Sequence, residues 1–232
     1  MDETLYFLIP QSLEYNYNEE LCPYIFLKDV NKESCQIYLS LSYLLKNIIE
    51  RNQNLDSILI REFSIKKKVS NGEGIREIDG YSEIKTGDYT IIVILEEKGR
   101  KSNVKKGKLQ AISAMHYILD YLSDNKSGIF PNLKKNIIIL GYLGYRTKED
   151  KNIIEIAGKM KIRNNEILTD LYINNNICTL LYDFDTIISL VKNSNNRRSL
   201  EKNILDIVSN KCGNEEENNL DNNKKENLNN NL

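Results

Sequence analysis

Three charged residues close an apolar strand-like run and could carry acid–base or metal chemistry. The segment DYTIIVILEEKGR, residues 88–100, contains five consecutive apolar residues and then Glu96, Glu97 and Lys98. Such a run is typical of a strand that is buried on both faces. Side chains alternate across a strand, so Glu96 and Lys98 project from one face and Glu97 from the other. A carboxylate and an ammonium group at the end of a buried strand can hold a cation and neutralise developing charge.

A predicted hairpin brings another acid to this strand end. Residues 75–85 have the composition of a strand, and the turn residues of 86–88 connect them to the apolar run. Two strands joined by so short a turn are expected to pair antiparallel. Asp79 precedes Glu96 by 17 positions. The hairpin therefore predicts that Asp79 lies beside Glu96.

The remaining elements follow from periodicity, with apolar residues every three or four positions in helices and β-branched or aromatic runs in strands. The pattern predicts helices over 32–52, 109–123 and 183–192 and strands over 57–69, 136–143, 166–173 and 177–182. We expect 57–69 to be an edge strand at its basic end, and 136–143 to pair with the apolar strand across a helical crossover. The predicted class is α/β, more strictly α+β, with a mixed central sheet flanked by helices.

Composition bounds the class of protein. The chain has 232 residues, 41% of them hydrophobic and 28% charged, and a net charge of -1. One sizeable core is expected, so residues 1–212 are predicted to form a single domain. The Asn-rich polar segment 213–232 has too little apolar surface to order itself and is predicted to be a disordered tail. Near-zero net charge means that any affinity for nucleic acid must come from local clusters.

Cysteine and histidine usage excludes several kinds of site. The four cysteines form no CxxC pair, and His116 is the only histidine, which excludes an intramolecular two-histidine metal site. We interpret His116 as a structural helix residue. No stretch is long and apolar enough to cross a membrane, and the first residues lack a basic region. We therefore expect a soluble, cytoplasmic protein without a membrane partner and with reduced thiols.

The order helix, three strands, helix, strand, with Asp79 on the second strand and Glu96-Glu97-Lys98 closing the third, resembles the PD-(D/E)XK nuclease superfamily. The run from Glu96 through the basic residues to the following helix is most similar to the archaeal Holliday-junction resolvase branch and its viral relatives. The resemblance covers about residues 35–145. It implies a restriction-endonuclease-like αβββαβ core, with helices flanking a central mixed sheet.

The resemblance also implies a chemistry. Asp79 and Glu96, with the backbone carbonyl of Glu97, would bind Mg²⁺ or Mn²⁺, and Lys98 would orient the attacking water. The expected activity is endonucleolytic hydrolysis of DNA, duplex or branched, by a homodimer. The alternative is a nuclease-like module without catalysis that binds nucleic acid or serves in assembly.

Two assignments stay open at this stage. Glu83 and Lys85 also have the Glu-x-Lys form, but we favour Glu96 because a buried strand leads into it whereas none is visible before Glu83. The first helix of the family often carries a further metal-binding glutamate, and the candidates for such a third acid are Glu33, Glu50 and Glu62.

A glycine-punctuated basic segment follows the acidic strand end. It is expected to be a loop that neutralises DNA phosphates without reading bases. Gln110, at the start of the following helix, is a further candidate for a phosphate contact, and Lys66, Lys67 and Lys68 could lie on the same side. The predicted nucleic-acid-binding residues are Arg100, Lys101, Lys105, Lys106, Lys108 and Gln110.

Overall fold

An eight-stranded sheet with four helices forms the described part of the protein. The structure, a computed structural model, describes residues 8–15, 32–52, 59–70, 75–86, 89–99, 103–124, 136–163, 166–173 and 176–212. In chain order the elements are β1 (Ser12–Tyr15), α1 (Lys32–Arg51), β2 (Leu59–Ser70), β3 (Ile75–Lys85), β4 (Tyr89–Lys98), α2 (Val104–Asp124), β5 (Asn136–Arg146), β6 (Asn152–Arg163), β7 (Glu166–Ile173), β8 (Asn176–Asp183), α3 (Phe184–Lys192) and α4 (Arg197–Cys212).

The strands β2 to β8 follow one another across the sheet in chain order. Neighbouring strands are antiparallel except for β4 and β5, which run parallel and are joined through α2. The short strand β1 pairs antiparallel with the first part of β6. The sheet is therefore mixed and mostly antiparallel, which confirms the α+β class, the β3–β4 hairpin and the crossover to β5. Among the described strands, β2 lies at one edge of the sheet, as predicted.

Helices cover both faces of β4, and this explains its unbroken apolar run. Ile91, Val93 and Leu95 share a cluster with Leu41 and other residues of α1 on one face. The residues between them, Ile92 and Ile94, pack with Met115, Ile118 and their neighbours in α2 on the opposite face. A strand with only one covered face would have polar residues at alternate positions. Burial on both faces was predicted from the sequence and is confirmed.

The face that carries α2 also carries α3 and α4. Leu200 and Ile204 of α4 pack with α2, α3 and the inner face of β7 and β8. A disulfide joins Cys178 of β8 to Cys212 at the end of α4. The expectation of reduced thiols is wrong, because this structure pairs two cysteines that the sequence separates by 34 positions. Disulfides are rare in reducing compartments.

The start of α2 and two whole elements differ from the sequence-based expectation. The helix α2 begins at Val104, so Lys105, Lys106 and Lys108 lie in its first turns and not in a loop. The strand β1 and the helix α4 were not predicted at all. Arg100, Lys101 and the segment 213–232 lie outside the described residues.

Among the described helices, none combines the length and apolar character needed to span a bilayer.

Candidate functional site

Glu96 is a buried carboxylate in contact with two cationic side chains. It lies two residues before the end of β4 and is 2% exposed, and its Oε2 atom lies 3.6 Å from Nζ of Lys98. Its Oε1 atom accepts a hydrogen bond from Nη2 of Arg197 at 2.7 Å. The predicted pairing of Glu96 with Lys98 on one face of the strand is confirmed. Sequence reasoning missed Arg197, which lies 101 positions downstream in a helix that was not predicted.

Helix α2 holds Arg197 in place. Nη2 also donates to the backbone carbonyl of Gln110 at 2.8 Å, and Nε donates to Oγ of Ser113 at 3.2 Å. One turn further along α4, the carboxylate of Glu201 lies 3.4 Å from Nε. The guanidinium group thus bridges the end of β4 to the start of α2, and its charge is directed at Glu96.

Asp79 lies in a second group of charged side chains, beside α1. Its Oδ2 atom accepts the backbone N–H of Glu97 at 2.9 Å, in a part of β3 where the regular pairing with β4 has ended. Its Oδ1 atom accepts a hydrogen bond from Nζ of Lys66 at 3.0 Å. The same ammonium group contacts Oε1 of Glu33, in the first turn of α1, at 2.9 Å. A single lysine therefore bridges two carboxylates from different elements.

The bridging lysine has an uncommon backbone conformation. Lys66 has φ of 60°, in the left-handed region that non-glycine residues rarely adopt. Partial burial alone would lower the pKa of Lys66, but its hydrogen bonds with Glu33 and Asp79 outweigh that effect and raise the pKa. The ammonium group is therefore held fully charged. Strained residues of this kind cluster at functional sites, where the surrounding structure enforces them.

The side chain of Glu97 points away from Glu96, as the alternation of β4 predicted. Its Oε1 atom accepts a hydrogen bond from Nε2 of Gln36 at 2.6 Å, while its Oε2 atom is inaccessible and without a hydrogen-bond partner. Burial raises the pKa of Glu97 to about 8, against the opposing effect of hydrogen bonds from Ser40 and Gln36. The carboxylate lies over Gly144 of β5, where an added Cβ would be 2.1 Å from Oε2. Any side chain at that position would displace it.

Asp79 and Glu96 interact electrostatically, although their nearest partners lie in different groups. Burial raises the pKa of Glu96, the charge of Arg197 opposes this, and the negative charge of Asp79 raises it further. Among the described residues, no three or more His, Cys, Asp and Glu side chains form a group that could hold a metal ion. A cation at this strand end would therefore take its protein ligands from one or two carboxylates and the backbone, with water completing its shell.

The structure separates the three candidates for a third acid. Glu33 is joined to Asp79 through Lys66. The other two candidates have local partners, since Glu50 pairs with Lys46 in the same helix and Glu62 with Lys67 in the same strand. Only Glu33 is thus connected to a predicted site residue.

The competing Glu-x-Lys pair is more buried than the sequence indicated. Glu83 is 4% exposed, and the residues Tyr81 to Ile84 around it are all buried. The expectation that no buried strand leads to Glu83 is wrong, because β3 lies between β2 and β4 and its centre is covered. The charged partner of Glu83 is Nε of Arg61, at 3.8 Å. Glu83 and Glu96 each lie two residues before the last residue of their strand. They differ in their partners, because Glu96 contacts Lys98 of its own Glu-x-Lys pair and Arg197, whereas the ion pair of Glu83 is with Arg61 of β2.

The predicted basic residues do not share one environment. Lys105 and Lys106 are exposed in the first turn of α2. Nζ of Lys108 lies 3.0 Å from the carboxylate of Glu155, so its charge is already balanced. Oε1 of Gln110 is inaccessible and has no hydrogen-bond partner. Among the described members of the set, Lys105 and Lys106 are therefore the exposed cations.

His116 is buried in α2, as a structural residue would be. Its Nδ1 atom lies 2.8 Å from the backbone carbonyl of Ile112, one turn earlier. Burial lowers the pKa of His116 to about 4, so the imidazole is neutral at neutral pH. The neutral ring therefore donates from Nδ1 to this carbonyl.

Comparisons of this chain with protein-family models, with curated proteins and with solved structures found no match.

Proposed function

We propose that the protein is a divalent-metal-dependent endonuclease that hydrolyses phosphodiester bonds of DNA, duplex or branched. Asp79 and Glu96 would hold Mg²⁺ or Mn²⁺ together with the backbone carbonyl of Glu97, and Lys98 would orient the attacking water. The segment from α1 to β5 would be a restriction-endonuclease-like core. Its order of one helix, three strands, a helix and a parallel strand supports this proposal.

The observation that carries the proposal is the arrangement of charges at the end of β4. A carboxylate that is 2% exposed has an ammonium group 3.6 Å away on the same face, and Asp79 on the neighbouring strand is close enough to shift its pKa. A buried carboxylate with a raised pKa is costly to keep ionised and is found disproportionately at functional sites. A bound cation would remove that cost.

The chemistry of the donor set fits a magnesium-like ion. Carboxylate and carbonyl oxygens are hard ligands, and Mg²⁺ commonly binds through one or two carboxylates while it keeps several waters. When bound, the ion would polarise the phosphoryl oxygen and lower the pKa of a water molecule. The ammonium group of Lys98 would neutralise charge on the phosphate, and exposed Lys105 and Lys106 would hold neighbouring phosphates.

Cleavage assays with matched variants test the proposal. The substrates are single-stranded, duplex and four-way-junction DNA and the corresponding RNAs, each with Mg²⁺ or Mn²⁺. We expect Glu96→Gln, Asp79→Asn and Lys98→Met to lower the rate by about 100-fold or more, because each removes charge at the reacting phosphate. The control is Lys151→Ala, which removes a half-exposed lysine that pairs with Glu14. It should leave the rate unchanged.

Two results would contradict the proposal. One is wild-type protein that leaves every substrate intact with both metals. The other is a Glu96→Gln variant that cleaves as fast as the Lys151→Ala control.

One observation favours a second candidate, a nuclease-like module that binds nucleic acid without cutting it. The guanidinium group of Arg197 already supplies positive charge to Glu96 at 2.7 Å, where a metal ion would otherwise supply it. Fluorescence anisotropy with labelled DNA in the presence of a chelator separates the two candidates. Affinity that falls steeply with salt and weakens in Lys105→Ala and Lys106→Ala, without cleavage in any metal, would favour the binding module.

A further inference from the structure

The two edges of the sheet differ in how they are protected. The edge strand β2 has the sequence LIREFSIKKKVS, with charged side chains along its length and an irregularity in its pairing with β3. The opposite edge strand, β8, has the sequence NICTLLYD, with no charge before Asp183, no proline and regular pairing with β7 throughout. Proteins normally blunt a free edge with charges, prolines or bulges. From Asn176 to Tyr182, the edge of β8 has none of these features.

The unprotected edge also exposes large apolar side chains. Ile177 and Leu181 of β8 are 62% and 61% exposed, and Leu168 of β7 is 39% exposed. Leu168 lies directly opposite Leu181, so the two share one face of the hairpin. The other face of the hairpin is covered, since Cys178 and Leu180 pack with α4. The exposed apolar residues therefore line one face of the open edge on either side of Thr179, whose hydroxyl group donates to Oδ1 of Asp170 at 2.9 Å.

The chain fixes both ends of β8. Near its start, Cys178 is joined by the disulfide to Cys212 in α4. At its end, Oδ1 of Asp183 caps α3 by accepting the backbone N–H of Thr186 at 2.8 Å. A strand that is already held in its extended conformation loses little entropy when another strand pairs with it. Among the described residues, no strand pairs with the outer edge of β8.

We propose that β8 pairs antiparallel with β8 of a second copy, so that one sheet continues across a twofold axis. In the register centred on Thr179, Ile177 lies opposite Leu181 of the second copy, and the reverse pair forms on the other side of the axis. The neighbouring strands extend each pair, because Leu168 lies beside Leu181 and Tyr172 beside Ile177.

The occupant is a second copy because this register matches β8 to itself. On each side of the axis, four apolar side chains then form a row across the sheet. The row consists of Leu168 and Leu181 of one copy and Ile177 and Tyr172 of the other. A twofold axis requires such self-complementarity of a surface. The paired positions, 176 to 182, carry no charge, so these strand residues add no like-charge repulsion. This pairing does not depend on the nuclease proposal, because none of its residues belongs to the charged strand end.

Sedimentation analysis of the full chain tests the pairing. The buffer should be non-reducing, so that the disulfide stays closed, and should contain a chelator. We expect wild type to sediment at twice 26.9 kDa. Leu181→Lys should raise the dissociation constant by about 100-fold, because the twofold axis places an ammonium group in the interface twice. The control is Leu59→Lys, which changes a leucine of equal exposure, 61%, on the opposite edge strand.

A cross-linking variant tests the register. Thr179→Cys places two thiols opposite each other at the twofold axis, so mild oxidation should yield a covalent dimer faster than for Ser189→Cys, an exposed control in α3. Three results would overturn the proposal: a wild-type monomer at about 100 µM, equal effects of Leu181→Lys and Leu59→Lys, or a dimer that Thr179→Cys does not cross-link faster than the control.

Discussion

Replacing Arg197 with methionine tests whether this residue compensates the buried charge of Glu96. Methionine keeps an apolar side chain of similar length and removes only the guanidinium group. The hydrogen bonds to Glu96 and to the carbonyl of Gln110, at 2.7 and 2.8 Å, are then lost. Removing one partner of a buried ion pair typically costs about 3–5 kcal/mol, because the other charge stays buried.

Two features of the site place the expected cost below that range. Nζ of Lys98 remains 3.6 Å from Glu96, and the side chain of Arg197 is 28% exposed, so solvent screens part of the interaction. Glu96 can also escape the penalty by binding a proton, since its pKa is already raised by burial. We therefore expect Arg197→Met to lower the free energy of unfolding by about 2–3 kcal/mol at pH 8.

The pH dependence of this cost has a definite sign. Loss of Arg197 raises the pKa of Glu96 further above its value in the unfolded chain. The folded variant then binds a proton that the unfolded chain has released, so its stability falls as pH rises through that interval. The cost of Arg197→Met should accordingly be smaller at pH 5 than at pH 8.

Urea denaturation in the presence of a chelator measures these effects. A double-mutant cycle with Glu96→Gln isolates the pair, and Arg198→Met, an exposed residue of the same helix, is the control. We expect a coupling free energy of about 2 kcal/mol between Arg197 and Glu96 and little effect of the control. Additive single effects within about 0.5 kcal/mol, or an equal cost for Arg197→Met and Arg198→Met, would refute the reasoning.

Three further predictions concern the parts of the fold that surround the site. Burial lowers the pKa of His116 to about 4, so the neutral ring contributes to the free energy of unfolding above pH 6.5, and this contribution is lost as pH falls toward 4. Between pH 7.5 and pH 5, the free energy of unfolding should therefore fall by about 2 kcal/mol in wild type and not in His116→Gln. Gly144→Ala should destabilise the protein by about 1–3 kcal/mol, because the added Cβ would displace the carboxylate of Glu97. The control is Gly99→Ala, whose added Cβ would have no atom within 4 Å, and thermal denaturation should show it to be close to neutral. Replacing both cysteines of the β8–α4 disulfide, which closes a loop of 34 positions, with serine should cost about 4 kcal/mol in non-reducing urea denaturation, and an equal stability with and without reductant would contradict this.

Local patterns were sufficient to predict the part of the fold that carries Asp79, Glu96 and Lys98. An apolar run with charges at one end predicted a doubly covered strand, and a short turn predicted its hairpin with the preceding strand. The crossover helix predicted the parallel partner. All three features occur in the structure. These signals are local, because strand periodicity, turn residues and helical spacing each act over a few residues.

The ends of elements and the weaker elements were harder to predict. The basic stretch around Lys105 and Lys106 resembles a loop because of its glycine and its charges, but packing of the residues that follow extends α2 back to Val104. Helix α4 has few apolar residues, and of these Leu200 and Ile204 are buried. So narrow an apolar stripe gives a weak periodic signal. Its burial depends on α2 and β8, which are distant in sequence.

The sequence by itself determined which charged residues close the buried strand, the faces from which they project and the hairpin that carries Asp79. Only the tertiary structure decided what those residues contact: Arg197 at Glu96, Lys66 between Asp79 and Glu33, and Gln36 at Glu97. The physical reason is the range of the interactions. Alternation along a strand is set by the backbone, whereas the partner of a buried charge is set by which remote helix packs over the strand end.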